Sequence, residues 1–218
     1  STLFPYTTLF RSDQLGRTRD ELRARFGVEP TGAWITERAW ETEVAADMAA
    51  AGLAYALVDD HLLRRAGVEP EALVHPHRTE SDGRTLDLLP IDERLRYLIP
   101  FRPAEELEAD LRARYEAGAP LALIGDDGEK FGGWPRTREW LYEGGWLEAF
   151  GDAMDRLREE GVVRWIAPAQ ALREVEILGP VYPPSGSYPE MESWARGGPW
   201  RGFRSRCAEA KRSGKQRL

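Results

Sequence analysis

An α/β fold built on parallel strands is what this sequence predicts, and three observations carry that expectation. Short apolar, β-rich runs alternate with longer amphipathic stretches, the pattern that strand–helix–strand units with crossover helices produce. The amphipathic stretches have ordered ends, with acids early, arginines late and a closing glycine, as the helix dipole and a left-handed C-terminal residue favour. Hydrophobic residues make up 42% of the 218 positions, enough to bury a large core and to exclude global disorder.

Each element follows from local signals. "DELRARFG" (20–27) sets Leu22 and Phe26 one helical turn apart and ends in glycine, so a helix is predicted. "GAWIT" (32–36) is short, apolar and β-rich, hence a strand. "ETEVAADMAAAG" (41–52) reads as a helix with acids in its first turn, and "AYALV" (54–58) as a buried strand. "TLDLLPI" (85–91) is a weaker strand, interrupted by Pro90. "PAEELEADLRARYEAG" (103–118) opens on proline and stops at glycine, the clearest helix in the chain. "PLALI" (120–124) is predicted as a strand, "WLEAFGDAMDRLREEG" (146–161) as a helix and "VVRWIA" (162–167) as another strand. After about residue 178 the text turns Pro-, Gly- and Ser-rich, as a linker or a long functional loop does. The first stretch, "STLFPYTTLFRSDQ" (1–14), fits none of this pattern. It looks like a translated sequencing adaptor and is expected to be a non-native leader, with a poorly ordered native terminus as the bland alternative.

Composition narrows the function. A net charge of −7 argues against a nucleic-acid or anionic-membrane surface. Cys207 is the single cysteine, so no intramolecular disulfide forms, and three histidines with one thiol make no Cys/His zinc site. No metal and no cofactor is expected. No apolar run approaches the roughly 18 to 20 residues of a membrane span, and no basic-then-apolar signal opens the chain. The cytoplasm is the expected location.

In parallel α/β folds, ligands bind at the carboxyl ends of strands, and acids collect there. Glu37 follows "GAWIT", Asp59 and Asp60 follow "AYALV", and Asp126, Asp127 and Glu129 follow "PLALI". A single acid in such a place is usually a helix N-cap, and Asp59 and Asp60 suit that role. Clusters after three strands, two of them flanked by tryptophan, point to chemistry instead. Paired carboxylates suit glycoside chemistry, where one acid protonates the leaving oxygen while the other attacks the anomeric carbon or activates water. Tryptophan faces stack on the apolar faces of sugar rings. Magnesium-dependent phosphoryl transfer would want a phosphate-cradling G-x-x-x-x-G-K-[ST] loop, which the chain lacks. Metal-dependent deacetylation would want histidines near an aspartate. His75 and His77 lie in a predicted loop beside no acid cluster, so they read as structural, and the deacetylase remains a remote alternative.

The residues then become specific. "GAWITERAWE" (32–41) and "DDGEKFGGWP" (126–135) resemble two signature segments of glycoside hydrolase family 57. "LVDDHLLRRAG" (57–67) and "LPIDERLRYLIPF" (89–101) resemble the family in order and spacing, and "VYPPSGSYPEMESWA" (181–195) resembles a later segment. The likeness runs from about residue 20 to the C-terminus. It implies a retaining α-glucan enzyme, a 4-α-glucanotransferase or an α-amylase, on an incomplete (β/α)7 barrel, with an α-glucan or maltooligosaccharide as substrate. By position it makes Glu37 the nucleophile, Asp127 the general acid/base, and Trp34 and Trp134 glucan contacts. The loop glycines are expected to admit substrate close to the backbone, and Glu129 to pair with Lys130. "SYPEMESW" and "LRYLIPF" favour the transferase. Two early family segments, one with a His-Gln-Pro motif and one with a glutamate, have no counterpart here, and "RCAEAK" around Cys207 stands where relatives carry tyrosine and asparagine. The expected organisation is a leader at 1–14, a partial catalytic barrel truncated at its N-terminus at 15–178, and a truncated extension at 179–218. Such a chain is expected to turn over little by itself, and an inactive fragment that still binds glucan is the alternative.

Overall fold

The computed structural model describes residues 5–196, and four strands form its sheet. Strands β1 (Gly32–Trp34), β2 (Tyr55–Asp59), β3 (His77–Ser81) and β4 (Arg84–Ile91) lie in the order β1-β2-β4-β3. β2 is parallel to both β1 and β4, while β3 runs antiparallel to β4. The parallel trio therefore points its carboxyl ends at one rim, where Asp59 closes β2, Asp92 directly follows β4 and Glu37 lies three residues past β1. The four strands of the described residues form an open sheet that does not close into a barrel.

The predicted helices form where capping and periodicity place them. Helix α1 (Pro5–Phe26) contains the predicted 20–27 helix and continues back through residues 5–14. Helix α2 (Thr42–Ala50) lies against the sheet, and α1 lies against α2. Arg11 Nε reaches Asp47 Oδ2 at 2.6 Å, and the Ser12 hydroxyl donates to Asp47 Oδ1 at 3.3 Å. Short helices α3 (Asp60–Arg65) and α4 (Glu93–Leu98) start at aspartate caps: Asp59 accepts from the His61 N–H and Asp92 from the Leu95 N–H. Helices α5 (Ala104–Glu116) and α6 (Trp146–Glu159) pack on one another, and α7 (Pro168–Glu174) and α8 (Pro189–Arg196) follow.

Two predicted strands do not form. Residues 120–124 join no ladder, although the Leu123 carbonyl accepts the Asp92 N–H at 2.9 Å. Residues 162–167 are likewise not a strand; the Val162 and Val163 N–H groups turn back onto the Leu157 carbonyl at 2.8 and 3.2 Å. Both runs are apolar because they cover the helices, and Ile124, Val162 and Val163 pack against the α5–α6 core. An apolar run reports burial, and it becomes a strand only where a neighbour supplies backbone partners. Conversely, β3 begins at His77, which the sequence places in a loop. The turn into β4 is Asp82-Gly83 with φ of 50° and 69°, the two-residue hairpin that Asp-Gly favours because its twist matches that of the strands. Pro90 is tolerated in β4 because pairing with β3 ends at Leu88, leaving a neighbour strand on one side only.

The buried apolar residues fall into two clusters. One lies between the sheet and its helices, around Trp40, Met48, Val58, Leu62 and Leu88. The other joins α4, α5 and α6 around Leu95, Leu107, Leu141, Trp146 and Leu157. The indoles of Trp140 and Trp146 donate to the Pro100 and Arg102 carbonyls at 2.7 and 2.6 Å, fixing the α4–α5 connection to the second cluster. Among the described residues no helix is long and apolar enough to cross a membrane.

Leu88, fully buried in β4, tests the first cluster. Leu88→Ala removes apolar burial and leaves a cavity, so urea unfolding is expected to show a loss of about 2–5 kcal/mol. A loss under about 0.5 kcal/mol, typical of a surface change, would contradict the packing described.

Candidate active site

After β1 the chain makes a tight turn at Thr36–Arg38, with the Arg38 N–H on the Ile35 carbonyl at 2.9 Å. Glu37 has φ 54° and ψ 18°, and Arg38 follows at φ 49°. This left-handed region costs a non-glycine residue on the order of 1–3 kcal/mol and persists only where its surroundings impose it. Residues 186–188 impose it. Trp40 and Gly186 exchange backbone hydrogen bonds at 2.8 and 3.0 Å. The Ser187 hydroxyl donates to the Glu37 carbonyl, and the Tyr188 hydroxyl donates to Glu37 Oε2 at 2.8 Å. Glu37 itself is exposed on the rim.

The second acidic segment is organised by Asp126. Its Oδ1 accepts the Asp127 N–H at 2.8 Å. Its Oδ2 binds the Lys130 ammonium and lies 3.4 Å from Arg96 Nε. Lys130 is 1% exposed and also donates to the Arg96 carbonyl at 2.8 Å. Burial pushes the Lys130 pKa down, and the Asp126 carboxylate opposes that shift. The expected Glu129–Lys130 pair is therefore replaced by Asp126–Lys130, because the single turn Gly128–Lys130 folds Lys130 back over Asp126. Two of the loop glycines are required by the turn itself: Gly132 has φ 122°, and a Cβ on Gly133 would sit 2.8 Å from the Glu129 carbonyl. That carbonyl accepts the N–H groups of Gly133 and Trp134. Asp127 is exposed.

Between these two segments lies a buried charged cluster. Asp59, with no exposed surface, places Oδ2 3.5 Å from both Arg38 Nε and Arg96 Nη1. It also caps α3 through His61 at 3.1 Å, so the capping role expected of it is real but incomplete. Burial pushes the Asp59 carboxyl up, against the His61 hydrogen bond and the two guanidinium groups. Burial pushes Asp60 up to about 7, although Arg64 at 2.7 Å opposes the shift. The Tyr188 ring lies 4.0 Å from the Arg38 guanidinium carbon and 5.6 Å from that of Arg96. A continuous chain of contacts thus runs from Glu37 through Tyr188, Arg38, Asp59, Arg96 and Asp126 to Asp127.

The tryptophans singled out in the sequence lie at the surface, not in the core. Trp34 and Trp134 are each 42% exposed. Trp134 stacks on Phe101, with ring centroids 5.9 Å apart and planes 17° from parallel. His75 and His77 donate to the Glu176 and Ala72 carbonyls, consistent with the structural role read for them. Tyr188, Arg38, Arg96 and Phe101 are members of this site that residue-type reasoning missed. The quoted motifs contain all four, yet nothing local marks them as partners. Cys207 and its neighbours lie outside the described residues.

An α/β protein with carboxylates and aromatic faces on the carboxyl rim of parallel strands is the class that this geometry defines. The family profile described as Glycosyl hydrolase family 57 matches residues 3–182, and the chain belongs to that family. It is 39% identical over 176 residues to a 4-alpha-glucanotransferase of Thermococcus kodakarensis, covering 80% of this chain and 26% of that protein. It is 41% identical over 172 residues to an alpha-amylase of Pyrococcus horikoshii, covering 78% of this chain and 27% of that protein. The crystal structure of 4-alpha-glucanotransferase from Thermococcus litoralis superposes with a TM-score of 0.78 at 36% identity, over 94% of this chain and 32% of that one. The chain spans about a quarter of the length of the curated relatives it matches.

Asp60 gives the site a pH signature. Its carboxyl is raised from 3.8 to about 7 by the fold, so the folded state holds a proton that the unfolded state releases between those values. Its contribution to stability is greatest below about pH 4, declines as pH rises to about 7, and is flat above. Asp60→Asn is expected to flatten this part of the profile in urea unfolding at a series of pH values. An unchanged profile would show that Asp60 titrates alike in both states.

Proposed function

We propose that this chain carries the reacting carboxylates of a retaining α-glucan enzyme of the 4-α-glucanotransferase type, with Glu37 as nucleophile and Asp127 as general acid and base. In this reading the open sheet is one arc of an incomplete (β/α)7 barrel, and Trp34 and Trp134 stack on sugar rings of the bound glucan. Asp127 gives its proton to the glycosidic oxygen as the C1–O bond breaks and a Glu37 oxygen bonds to C1. An acceptor hydroxyl then passes its proton to Asp127, its oxygen bonds to C1, and the C1–Glu37 bond breaks to restore the carboxylate. A sugar acceptor makes the reaction a transfer, and water makes it the hydrolysis of an α-amylase.

The observation that carries this reading is the seating of Glu37. An exposed carboxylate on left-handed backbone, gripped by Ser187 and Tyr188, is strain kept at one position, which proteins concentrate at working sites. Relatives named 4-alpha-glucanotransferase and alpha-amylase support an α-glucan as the substrate class and leave the acceptor to be decided by product analysis.

The test is covalent labelling with 5-fluoro-α-glucosyl fluoride, which needs a single turnover and so tolerates slow chemistry. Mass spectrometry is expected to find the adduct on the Glu37 peptide and none in Glu37→Gln. Asp127→Asn is expected to lose transfer from maltotriose by about 10²–10⁴-fold, the usual worth of acid catalysis. It should still accept the fluoride donor, whose leaving group needs no proton. Longer maltooligosaccharides as products mark a transferase, and net hydrolysis marks an amylase. Glucan binding with no adduct would overturn the proposal in favour of an inactive glucan-binding chain.

A further inference from the structure

We propose that Tyr188 is a positioning residue for the nucleophile: its hydroxyl holds Glu37 Oε2, directs Oε1 at the anomeric carbon, and stabilises the carboxylate as it leaves the glycosyl group. The inference rests on Glu37 as nucleophile, as proposed above. Consecutive residues 187 and 188 grip one glutamate at two points, its backbone carbonyl and its side chain, across about 150 positions of sequence. A tyrosine that only filled space would not need to set its hydroxyl on that carboxylate. The ring is itself fixed, with the Arg38 guanidinium 4.0 Å from its centroid and the Trp194 ring edge-on at 6.4 Å. Burial raises the Tyr188 pKa, and the hydrogen bond to Glu37 raises it further. The phenol therefore keeps its proton at neutral pH and is the donor.

The chemistry distinguishes the two steps. Glu37 is fully charged before attack, becomes a neutral ester in the glycosyl-enzyme, and regains its charge as C1–Oε1 breaks. A hydrogen bond to a carboxylate is stronger than one to a neutral ester, so Tyr188 stabilises the departing carboxylate more than the ester it leaves. Losing the hydroxyl should therefore slow breakdown of the intermediate. During attack the same loss has opposed effects, because a carboxylate without its donor is less well aimed but more nucleophilic.

Two measurements on the 218-residue chain test this. In Tyr188→Phe, which keeps the ring over Arg38, transfer of the labelled glycosyl group from Glu37 to maltose is expected to slow by about ten- to a hundred-fold, the range for a hydrogen bond to a charged group. Formation of the adduct should slow less, so the adduct accumulates. Independently of turnover, NMR with tyrosines carbon-labelled at Cζ should show the Tyr188 titration moving down in Glu37→Gln. An unmoved Tyr188 titration, or equal slowing of formation and breakdown in Tyr188→Phe, overturns the role of Tyr188 while leaving a normal Glu37 adduct intact. No Glu37 adduct in the unaltered chain removes the nucleophile assignment, and the role of Tyr188 falls with it.

Discussion

Arg96 sits between Asp59 at the end of β2 and Asp126 at the entry to the second acidic segment, 3.5 and 3.4 Å from their carboxylates. Arg96 lies on α4, whose Leu95 belongs to one apolar cluster, and faces Asp59 of β2, whose Val58 belongs to the other. Apolar faces alone tolerate sliding, because their attraction is non-directional. A buried ion cluster does not, since each charge removed from water must find its partner or cost several kcal/mol. In this arrangement of the two halves Asp59 faces Arg38 and Arg96, and Asp126 faces Arg96 and Lys130. We read the cluster as a registry device first and a source of stability second.

That registry matters because each candidate catalytic acid hangs from one of its ends. Asp127 is oriented through its own N–H on Asp126, whose position Arg96 and Lys130 set. Glu37 adjoins Arg38, and Tyr188 spans both by hydrogen-bonding the first and covering the second. The left-handed backbone at Glu37 and Arg38 is a local cost that these surroundings offset. Holding two reacting groups in a fixed relation lowers a barrier far more than either group does when loosely placed. On this view the buried cluster does its work without touching substrate.

Local signals made part of this visible in advance. Acids early and glycine late placed α2, α5 and α6, because capping is decided within a few residues. The strand assignments at 120–124 and 162–167 failed because apolarity reports burial, whereas a ladder needs a partner elsewhere in the chain. The Asp82-Gly83 pair is a legible hairpin signal, and the hairpin it closes brings His77 into a strand. At the site, Glu37, Asp127, Trp34 and Trp134 drew attention by lying next to apolar runs and within family-like motifs. Residue-type reasoning could not find Tyr188, 151 positions from its partner, or the pairing of Lys130 with Asp126 in place of Glu129. Those contacts exist only once the chain has closed.

The central claim is that the buried charges couple the two halves, and a double-mutant cycle between Asp59 and Arg96 tests it most directly. Urea unfolding is measured for the unaltered chain, Asp59→Asn, Arg96→Met and the double variant. Arg96→Met alone is expected to cost about 3–5 kcal/mol, since it leaves a buried carboxylate short of a partner. The double variant should cost less than the sum of the single variants, by about 0.5–3 kcal/mol. Small single losses that add within about 0.5 kcal/mol would show that the two charges do not sense each other, and that something else sets the register of the site.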